Sequence, residues 1–352
     1  MRIAIMTLNV YDNYGNMLQK YALYRTLKKF AEFVEVLWSP ETKPFYPYKL
    51  ELEYQKEGNL RNTAFWSVRE YKLKEFNDIN IRTRFDIPYL EDLADEYDFF
   101  VVGSDQVWNP EFDVPNRFLD FAPPEKRIAY AASITVPELP KELRQIYRQK
   151  ILEMAHVSVR EKEGCDLIEN LTGKRPLHVL DPVFLLTVEE WRALEKRPFW
   201  FKEEFYKHGY LLTYWLNGKP PKEIKTFAEK LGLPVINMLD IKNFNHYTMG
   251  IEEFLYLLDH ATFLCLKSFH GTAFATIFRK PFMIYKTGKL LTTRFSRIGS
   301  LLDLFGLSDR VADSNLEIKL DDPLKIDFSR LEEVLPLERK KAFKFLADAL
   351  WQ

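Results

Sequence analysis

Cysteine is scarce in this chain, since its 352 residues include only Cys165 and Cys265. The two residues lie far apart in the sequence and lack the spacing of zinc ligands. Their number is also too small for the disulfide framework of a secreted domain. We therefore expect no metal site, and the sequence indicates no cofactor. A reducing compartment such as the cytoplasm fits this composition.

An excess of charge of one sign and long apolar runs are also lacking. The 50 Lys and Arg residues balance 51 Asp and Glu residues, which leaves a net charge of -1. This balance gives no electrostatic case for a nucleic-acid partner. No stretch approaches the ~20 apolar residues of a membrane helix, and the apolar start, Met1 to Tyr11, is too short for a signal peptide. Any membrane association is expected to be peripheral, and the oligomeric state is not indicated.

A high apolar content is what the chain does have. It is 47% hydrophobic and 15% aromatic, which is typical of a globular protein. Its length favours two domains. We predict an N-terminal domain over residues 1–186 and a C-terminal domain over residues 187–328. Residues 329–352 are predicted to form a helix that packs back on the N-terminal domain.

Strands and helices alternate through the N-terminal half. Apolar runs predict strands at Arg2–Leu8, Phe33–Trp38, Tyr97–Val102, Arg127–Ala132 and Val157–Val159, and an amphipathic pattern predicts a helix at Met17–Phe30. This alternation is typical of a parallel sheet with helices on both faces. Ligands of such sheets lie at the carboxyl ends of the strands. Polar residues stand at four of these ends, which favours a binding site there: Asp12–Asn16, Gly103–Asn109, Ser133–Thr135 and Arg160–Gly164.

The stretch from Ala261 to Pro281 is the most informative part of the second half. An apolar run ending at Lys267 predicts a buried strand, and small and apolar residues from Gly271 onward predict a helix that Pro281 ends. His270 therefore lies where a strand turns into a helix. Helix N-termini favour anions, so this turn is predicted to bind one. The alternative, in which His270 merely caps the helix, stays open.

Six segments in order resemble the polysaccharide pyruvyl transferase family. They are Asn13–Leu23, Val102–Pro110, Tyr130–Ser133, Ser158–Gly164, Asp181–Leu186 and Ser268–Phe274. The resemblance implies a GT-B-like α/β fold with two facing Rossmann-like domains and a cleft between them. It also implies an activity, which is transfer of the enolpyruvyl unit of phosphoenolpyruvate onto two hydroxyls of a saccharide. The products would be a cyclic ketal and phosphate, and the acceptor would be a nucleotide- or lipid-linked sugar.

The resemblance also implies which residues act. His270, Arg160 and Lys289 are the predicted catalytic residues. The predicted donor site contains Arg160, Ser268, His270, Gly271, Thr272 and Lys289. An imidazole titrates near neutrality and suits a general acid, and a guanidinium suits a carboxylate or phosphate. Lys280 and Lys286 are alternatives to Lys289, and Arg160 could instead pair with a neighbouring acid.

The predicted acceptor side is formed by the N-terminal loops. It contains Asn13, Tyr14, Asn16, Asp105, Gln106 and Trp108. Asp105 could orient the acceptor as an acid or base, or form an Asx turn. Trp108 could stack on a sugar or pack in the core.

One residue departs from the family pattern, because Lys267 stands where many members have a small polar or acidic residue. Two other functions stay open. One is a GT-B-type glycosyltransferase that uses a sugar-nucleotide donor, and the other is a non-catalytic glycan-assembly protein on the same fold.

Overall fold

The computed structural model describes residues 1–38, 60–85, 87, 90–111, 116–216, 219–286, 291–312 and 321–351. These residues form two compact units. Unit 1 contains the described residues of 1–38, 75–186 and 335–351. Unit 2 contains those of 60–74 and 187–334. The domain bounds predicted from the sequence stay a prediction.

The strands of the described residues form two sheets, one in each unit. In chain order they are β1 (Arg2–Met6), β2 (Phe33–Leu37), β3 (Thr83–Arg84), β4 (Phe99–Gly103), β5 (Arg127–Ala132), β6 (His156–Val159), β7 (Leu177–His178), β8 (Leu211–Trp215), β9 (Val235–Met238), β10 (Phe263–Lys267) and β11 (Phe282–Ile284). The first sheet has the order β3-β2-β1-β4-β5-β6-β7, and the second has the order β11-β10-β8-β9. Every one of these pairings is parallel. The predicted α/β class with parallel sheets is confirmed.

The helices of the described residues are interleaved with these strands. They are α1 (Tyr14–Leu27), α2 (Leu60–Asn80), α3 (Lys141–Leu152), α4 (Lys162–Thr172), α5 (Val188–Arg192), α6 (Glu203–His208), α7 (Lys222–Leu231), α8 (Phe244–Tyr247), α9 (Ile251–His260), α10 (Phe269–Ile277), α11 (Leu291–Phe305) and α12 (Ser329–Leu350). No helix of the described residues combines the length and the apolar character needed to cross a bilayer.

The first helix begins three residues earlier than the sequence pattern predicts. The side chain of Asn13 accepts a hydrogen bond from the Asn16 N–H, at 3.1 Å, and so caps the first turn. The helix is buried nearly all round, with Met17, Leu18 and Leu23 fully covered. The apolar pattern of the sequence therefore predicted only part of this helix. Its start is set by the polar cap at Asn13.

Gly103 ends β4 at a point where only glycine fits. Its φ of +127° lies in a region that L side chains rarely adopt, and an added Cβ would stand 2.0 Å from the Tyr130 carbonyl oxygen. The close approach brings the end of β4 against β5. The neighbouring β5–β6 register shifts between Ala129 and Ala132, as in a β-bulge, which redirects the chain into Ser133.

The last helix contributes its C-terminal part to unit 1. Arg339 donates hydrogen bonds to the carbonyl oxygens of Phe184, at 2.5 Å, and Leu186, at 2.7 Å. The Phe343 ring lies 6.1 Å from that of Phe30. The hydrogen bonds of Arg339 thus provide donors for two backbone carbonyl oxygens in the segment that leaves the first sheet.

Two intervals that the sequence predicts as long connections contain helices in the structure. The interval from Pro40 to Glu70 is predicted to be irregular with some helix at its end, and its first part lies outside the described residues. The helix there, α2, continues to Asn80. The interval from Val183 to Phe205, predicted as a connection, contains α5 and part of α6. Their five and six residues are too short to show a helical period.

Candidate active site

In unit 1 the strand order reverses between β1 and β4, and polar side chains collect there. The Gln19 side chain, on α1, accepts a hydrogen bond from the Ser104 N–H at 3.1 Å and donates to Thr7 Oγ1 at 3.2 Å. It thereby ties the ends of β1 and β4 together. A reversal of strand order is where ligands of open parallel sheets bind. The predicted loops meet at this edge of the sheet.

Arg160 follows β6 and lies among three carboxylates. Its Nη1 is 2.5 Å from Asp181 Oδ2, its Nη2 is 3.8 Å from Asp105 Oδ1 and its Nε is 4.0 Å from Glu161 Oε2. Burial opposes the charge on this guanidinium, but the carboxylates of Asp181, Asp105 and Glu161 outweigh it and raise the pKa of Arg160. Only 2% of the side chain is exposed. The pairing with a neighbouring acid, left open by the sequence, is present here with Asp181.

Two of these carboxylates are held by several donors. Glu161 Oε1 accepts hydrogen bonds from Ser133 Oγ at 2.5 Å and from the N–H groups of Ile134 and Thr135 at 3.1 and 3.2 Å. Asp181 accepts from the Val183 N–H at 3.1 Å and from Ser104 Oγ at 3.3 Å, in addition to Arg160. These contacts join the ends of β4, β5 and β6 to the segment after β7.

Asp105 and Asn16 are brought together from positions far apart in the chain. Asn16 Nδ2 donates to Asp105 Oδ2 at 3.1 Å. The backbone of Asp105 has a positive φ of 65°, and its carbonyl accepts the Ser133 N–H at 3.0 Å. Asp is among the residues that tolerate this conformation best.

The other predicted acceptor residues have mainly structural contacts. Asn13 caps α1, and Gln106 Oε1 accepts a hydrogen bond from Asn109 Nδ2 at 3.2 Å. Trp108 is 0% exposed, donates through Nε1 to the Arg117 carbonyl at 2.8 Å and stacks on Phe118. Tyr14 is also fully buried. Trp108 and Tyr14 are therefore packed in the core of this structure. Their predicted place on the acceptor side stays a prediction.

In unit 2 the strand order reverses between β8 and β10, and the predicted donor residues follow β10. Ser268 caps α10, since its Oγ accepts the Gly271 N–H at 3.2 Å. The Thr272 N–H bonds to the Ser268 carbonyl at 3.0 Å. Both N–H groups already have acceptors within the chain. Their predicted contact with a phosphate stays a prediction, and for Gly271 it would require Ser268 to give up the cap.

Gly271 has a packing role that the sequence did not indicate. A Cβ there would lie 3.1 Å from Tyr214 Cδ1 and 3.3 Å from Leu266 Cδ2. The absence of a side chain therefore lets α10 approach β8 and β10 closely. This contact places the first turn of α10, with His270, against the carboxyl end of the sheet.

Three basic side chains lie around this turn. The ring of His270, whose residue is 8% exposed, stands edge-on to Phe269 at 5.2 Å. The guanidinium carbon of Arg297 lies 5.9 Å from the Phe269 ring centroid. Lys267 Nζ lies 5.6 Å from the Trp215 ring centroid, and burial lowers the pKa of this lysine. Lys267, His270 and Arg297 together suit an anionic ligand.

The third predicted catalytic residue, Lys289, lies outside the described residues, and its role stays a prediction. Of its two alternatives, Lys280 lies near Glu195 and Asp259, and burial lowers its pKa. Lys286 is exposed.

Sequence reasoning missed several polar residues of these sites. Asp181, Gln19 and Arg297 carry no individual signal, because each becomes informative only through a partner distant in the chain. Asp181 lay inside a segment that resembles the family, so its proline-flanked position was the available hint. Nothing local marked Arg297, which lies on an ordinary amphipathic helix.

Lys20 was also missed, although it is fully buried at the same sheet edge. Its Nζ is 3.5 Å from Asn9 Oδ1 and lies 5.6 and 5.8 Å from the ring centroids of Tyr11 and Trp38. Burial lowers the pKa of this amine to about 7, and Asp78 opposes the effect. Among the described residues no carboxylate lies within 4.0 Å of it.

We expect Lys20→Met to remove a pH dependence of stability. The lowered native pKa means that the unfolded chain binds more protons between about pH 7 and 10.5, so wild-type stability rises across this range. The variant should lack that rise and be more stable at pH 7, by on the order of 4 kcal/mol. Urea unfolding at several pH values measures this, with the exposed Lys28→Met as control. Equal pH slopes in Lys20→Met and wild type would contradict the expectation.

Among the described residues one group has the composition of a metal site. Potential ligand atoms of Glu195, Asp259 and His260 lie within 4.8 Å of one another. Arg192, however, donates to both oxygens of Asp259, at 2.7 and 3.2 Å. Burial and the nearby Asp259 raise the pKa of Glu195 to about 7. The Arg192 guanidinium thus already occupies both oxygens of Asp259, and we assign no metal to these residues.

Solved structures share the fold at low sequence identity. The structure of UDP-GlcNAc 2-epimerase from Neisseria meningitidis aligns with a TM-score of 0.51 and 10% identity, covering 100% of both chains. That of UDP-GlcNAc 2-epimerase from Methanocaldococcus jannaschii gives 0.48 and 14%, again covering 100% of both chains. The first likeness supports the GT-B-like fold class, and identities this low indicate nothing about substrate.

The family of the chain follows from its match to a protein-family model. No curated protein matches the chain. The model of the polysaccharide pyruvyl transferase family matches residues 13–287, which include the strand-end residues of both units described above. The chain belongs to the polysaccharide pyruvyl transferase family.

Proposed function

We propose that this protein transfers the enolpyruvyl unit of phosphoenolpyruvate onto two hydroxyls of a saccharide, forming a cyclic ketal and releasing phosphate. The observation that carries the proposal is the family match over residues 13–287. The acceptor is a nucleotide- or lipid-linked sugar of cell-surface glycan biosynthesis, used at the cytoplasmic side of the membrane.

The basic turn after β10 supports the donor part of the proposal. Phosphoenolpyruvate carries a phosphate and a carboxylate, and Lys267 and Arg297 offer positive charge beside His270 at this strand end. In the proposed mechanism His270 protonates the methylene carbon, because an imidazolium is a competent acid near neutral pH. The cations around it stabilise the leaving phosphate.

Arg160 has a second proposed role on the donor. Its guanidinium is fixed by Asp181, so its orientation is set before any ligand binds. A fixed guanidinium stabilises charge without reorganising during the reaction. Lys289 is proposed as a further donor ligand, and Ser268 as the residue that holds the His270 turn. Asn16 and Asp105 are proposed for the acceptor side.

The decisive experiment combines the protein with phosphoenolpyruvate and a panel of nucleotide- and lipid-linked glycans. Phosphate release together with a product that has gained the pyruvyl ketal, detected by mass spectrometry, is the expected result. Calorimetry should show binding of phosphoenolpyruvate that UDP-sugars do not displace. No phosphate release and no heat of binding would overturn the proposal. Binding of UDP-sugars at the donor site without binding of phosphoenolpyruvate would indicate a glycosyltransferase.

A further inference from the structure

The three carboxylates around Arg160 differ in how many hydrogen bonds they accept from the protein. Glu161 is 3% exposed in its side chain and Asp181 is 0% exposed. Each accepts hydrogen bonds from two or more donors of the protein, as described above. Breaking these bonds would leave buried donors unsatisfied, at a cost of about 1–3 kcal/mol each. Glu161 and Asp181 therefore hold the strand ends together.

Asp105 is occupied on one side only. Its Oδ2 accepts a hydrogen bond from Asn16, whereas its Oδ1 accepts none from the described residues. The nearest cation to Oδ1 is Arg160 Nη2, at 3.8 Å, which is beyond hydrogen-bond distance. With 10% of its side chain exposed, Asp105 is also the most accessible of the three acids. Glu161 Oε2 also accepts no hydrogen bond from the described residues, but it is buried. Asp105 Oδ1 is thus the accessible oxygen of this group that can receive a proton from a bound molecule.

The mounting of Asp105 is rigid, as a catalytic group requires. It directly follows Gly103 and Ser104 at the end of β4, where the strand order reverses. Its left-handed backbone is held by the bond from the Ser133 N–H to its carbonyl. Asn16, on α1, fixes the rotation of the carboxylate. A side chain fixed in this way can keep one oxygen pointed at a substrate hydroxyl.

We propose that Asp105 Oδ1 is the general base that takes the proton from the attacking acceptor hydroxyl, an assignment that rests on the proposed function. The hydroxyl oxygen bonds to the phosphate-bearing carbon of phosphoenolpyruvate. Its proton passes to Asp105, and the methylene carbon receives a proton from a general acid and becomes a methyl group. The carbon–oxygen bond to phosphate then breaks, and the second hydroxyl attacks the same carbon. Its proton leaves with the phosphate. Asp105 then gives its proton to solvent and the general acid takes one up, so that in sum two hydroxyl protons account for the new methyl hydrogen and the protonated phosphate.

Asn16 is a positioning residue in this scheme, because it bonds the oxygen that does not react. The guanidinium of Arg160 lies within 4 Å of the reactive oxygen. A donor ligand of that guanidinium would therefore be brought next to the base.

The test uses Asp105→Asn and Asp105→Ala in the full chain. Asparagine has the same shape, tolerates the left-handed backbone and retains an oxygen for Asn16, so the variant should fold like wild type. It should bind phosphoenolpyruvate with unchanged affinity and lose about 10²-fold in kcat. In Asp105→Ala, added formate should restore part of the rate, because it supplies a carboxylate where one was removed. The exposed Asp92→Asn is the matched control and should behave like wild type.

The outcomes separate this assignment from the proposed function. If wild type releases phosphate and folded Asp105→Asn keeps its kcat within a few-fold, Asp105 is not the base. A loss of rate in Asp105→Ala that formate does not restore would also overturn the assignment and indicate a structural role. A wild-type protein that neither binds nor consumes phosphoenolpyruvate would overturn both the proposed function and the role of Asp105.

Discussion

Replacing His270 with alanine should lower phosphate release from phosphoenolpyruvate by about 10³-fold or more and leave the fold intact. The imidazole is proposed to supply the proton for the methylene carbon, and water does not replace a positioned general acid efficiently. The backbone of the turn is held independently of the imidazole, through the Ser268 cap and the packing of Gly271 on Tyr214. Removal of the ring should therefore affect the reaction rather than the position of α10.

Measurements of kcat, donor affinity and unfolding midpoint test this expectation. His270→Gln is the more conservative companion, since it keeps the volume and a hydrogen-bonding group but cannot act as an acid. Both variants should be inactive and should unfold close to wild type. His208→Ala, at an exposed position of the same unit, should retain full activity. A folded His270→Gln with substantial turnover would remove His270 from the mechanism.

Replacing Arg160 with methionine should destabilise the protein by about 3–5 kcal/mol. Asp181 is 0% exposed in its side chain and would lose its charged partner at 2.5 Å. The other donors to Asp181, Ser104 and the Val183 N–H, cannot balance a full negative charge. Asp105 and Glu161 would then repel Asp181 without a cation between them, and all strand ends that meet at this cluster would be affected.

A double-mutant cycle separates the pair from its surroundings. Arg160→Met with Asp181→Asn should cost clearly less than the sum of the two single changes, because the buried charge of Asp181 is removed together with its partner. Denaturant unfolding of the four proteins measures this coupling. Arg175→Met is the control, since Arg175 pairs with Glu169 at the surface and should change the midpoint little. Additive effects at Arg160 and Asp181 would show that the pair is not the source of stability.

The stability result also bears on the role of Arg160. A variant that has unfolded loses activity for trivial reasons, so Arg160→Lys is the useful change for the donor. Lysine keeps the positive charge beside Asp181 but loses the planar fork. If Arg160 binds the donor, this variant should remain folded with a weakened affinity for phosphoenolpyruvate, which calorimetry detects.

The sequence determined the class of the fold because local patterns carry it. Short apolar runs separated by helical periods imply crossovers, and crossovers imply parallel strands whose carboxyl ends share one edge. The positions of the polar loops then followed, as for Gly103–Asn109 and Arg160–Gly164. The ordered segments determined the family. The sequence around Ser268–Phe274 also determined that His270 lies between a strand and a helix. The apolar run before it predicts the strand, and the small and apolar residues after it predict the helix.

Only the tertiary structure decided which side chains are partners. Asp105 meets Asn16 and Arg160 meets Asp181 because particular strands are neighbours in the sheet, and strand order is not written in any local period. Contacts between distant segments also bury Trp108. From the sequence, this residue could have stacked on a sugar or packed in the core. Local chemistry specifies what each segment can become, while contacts between distant segments decide what each side chain is able to do.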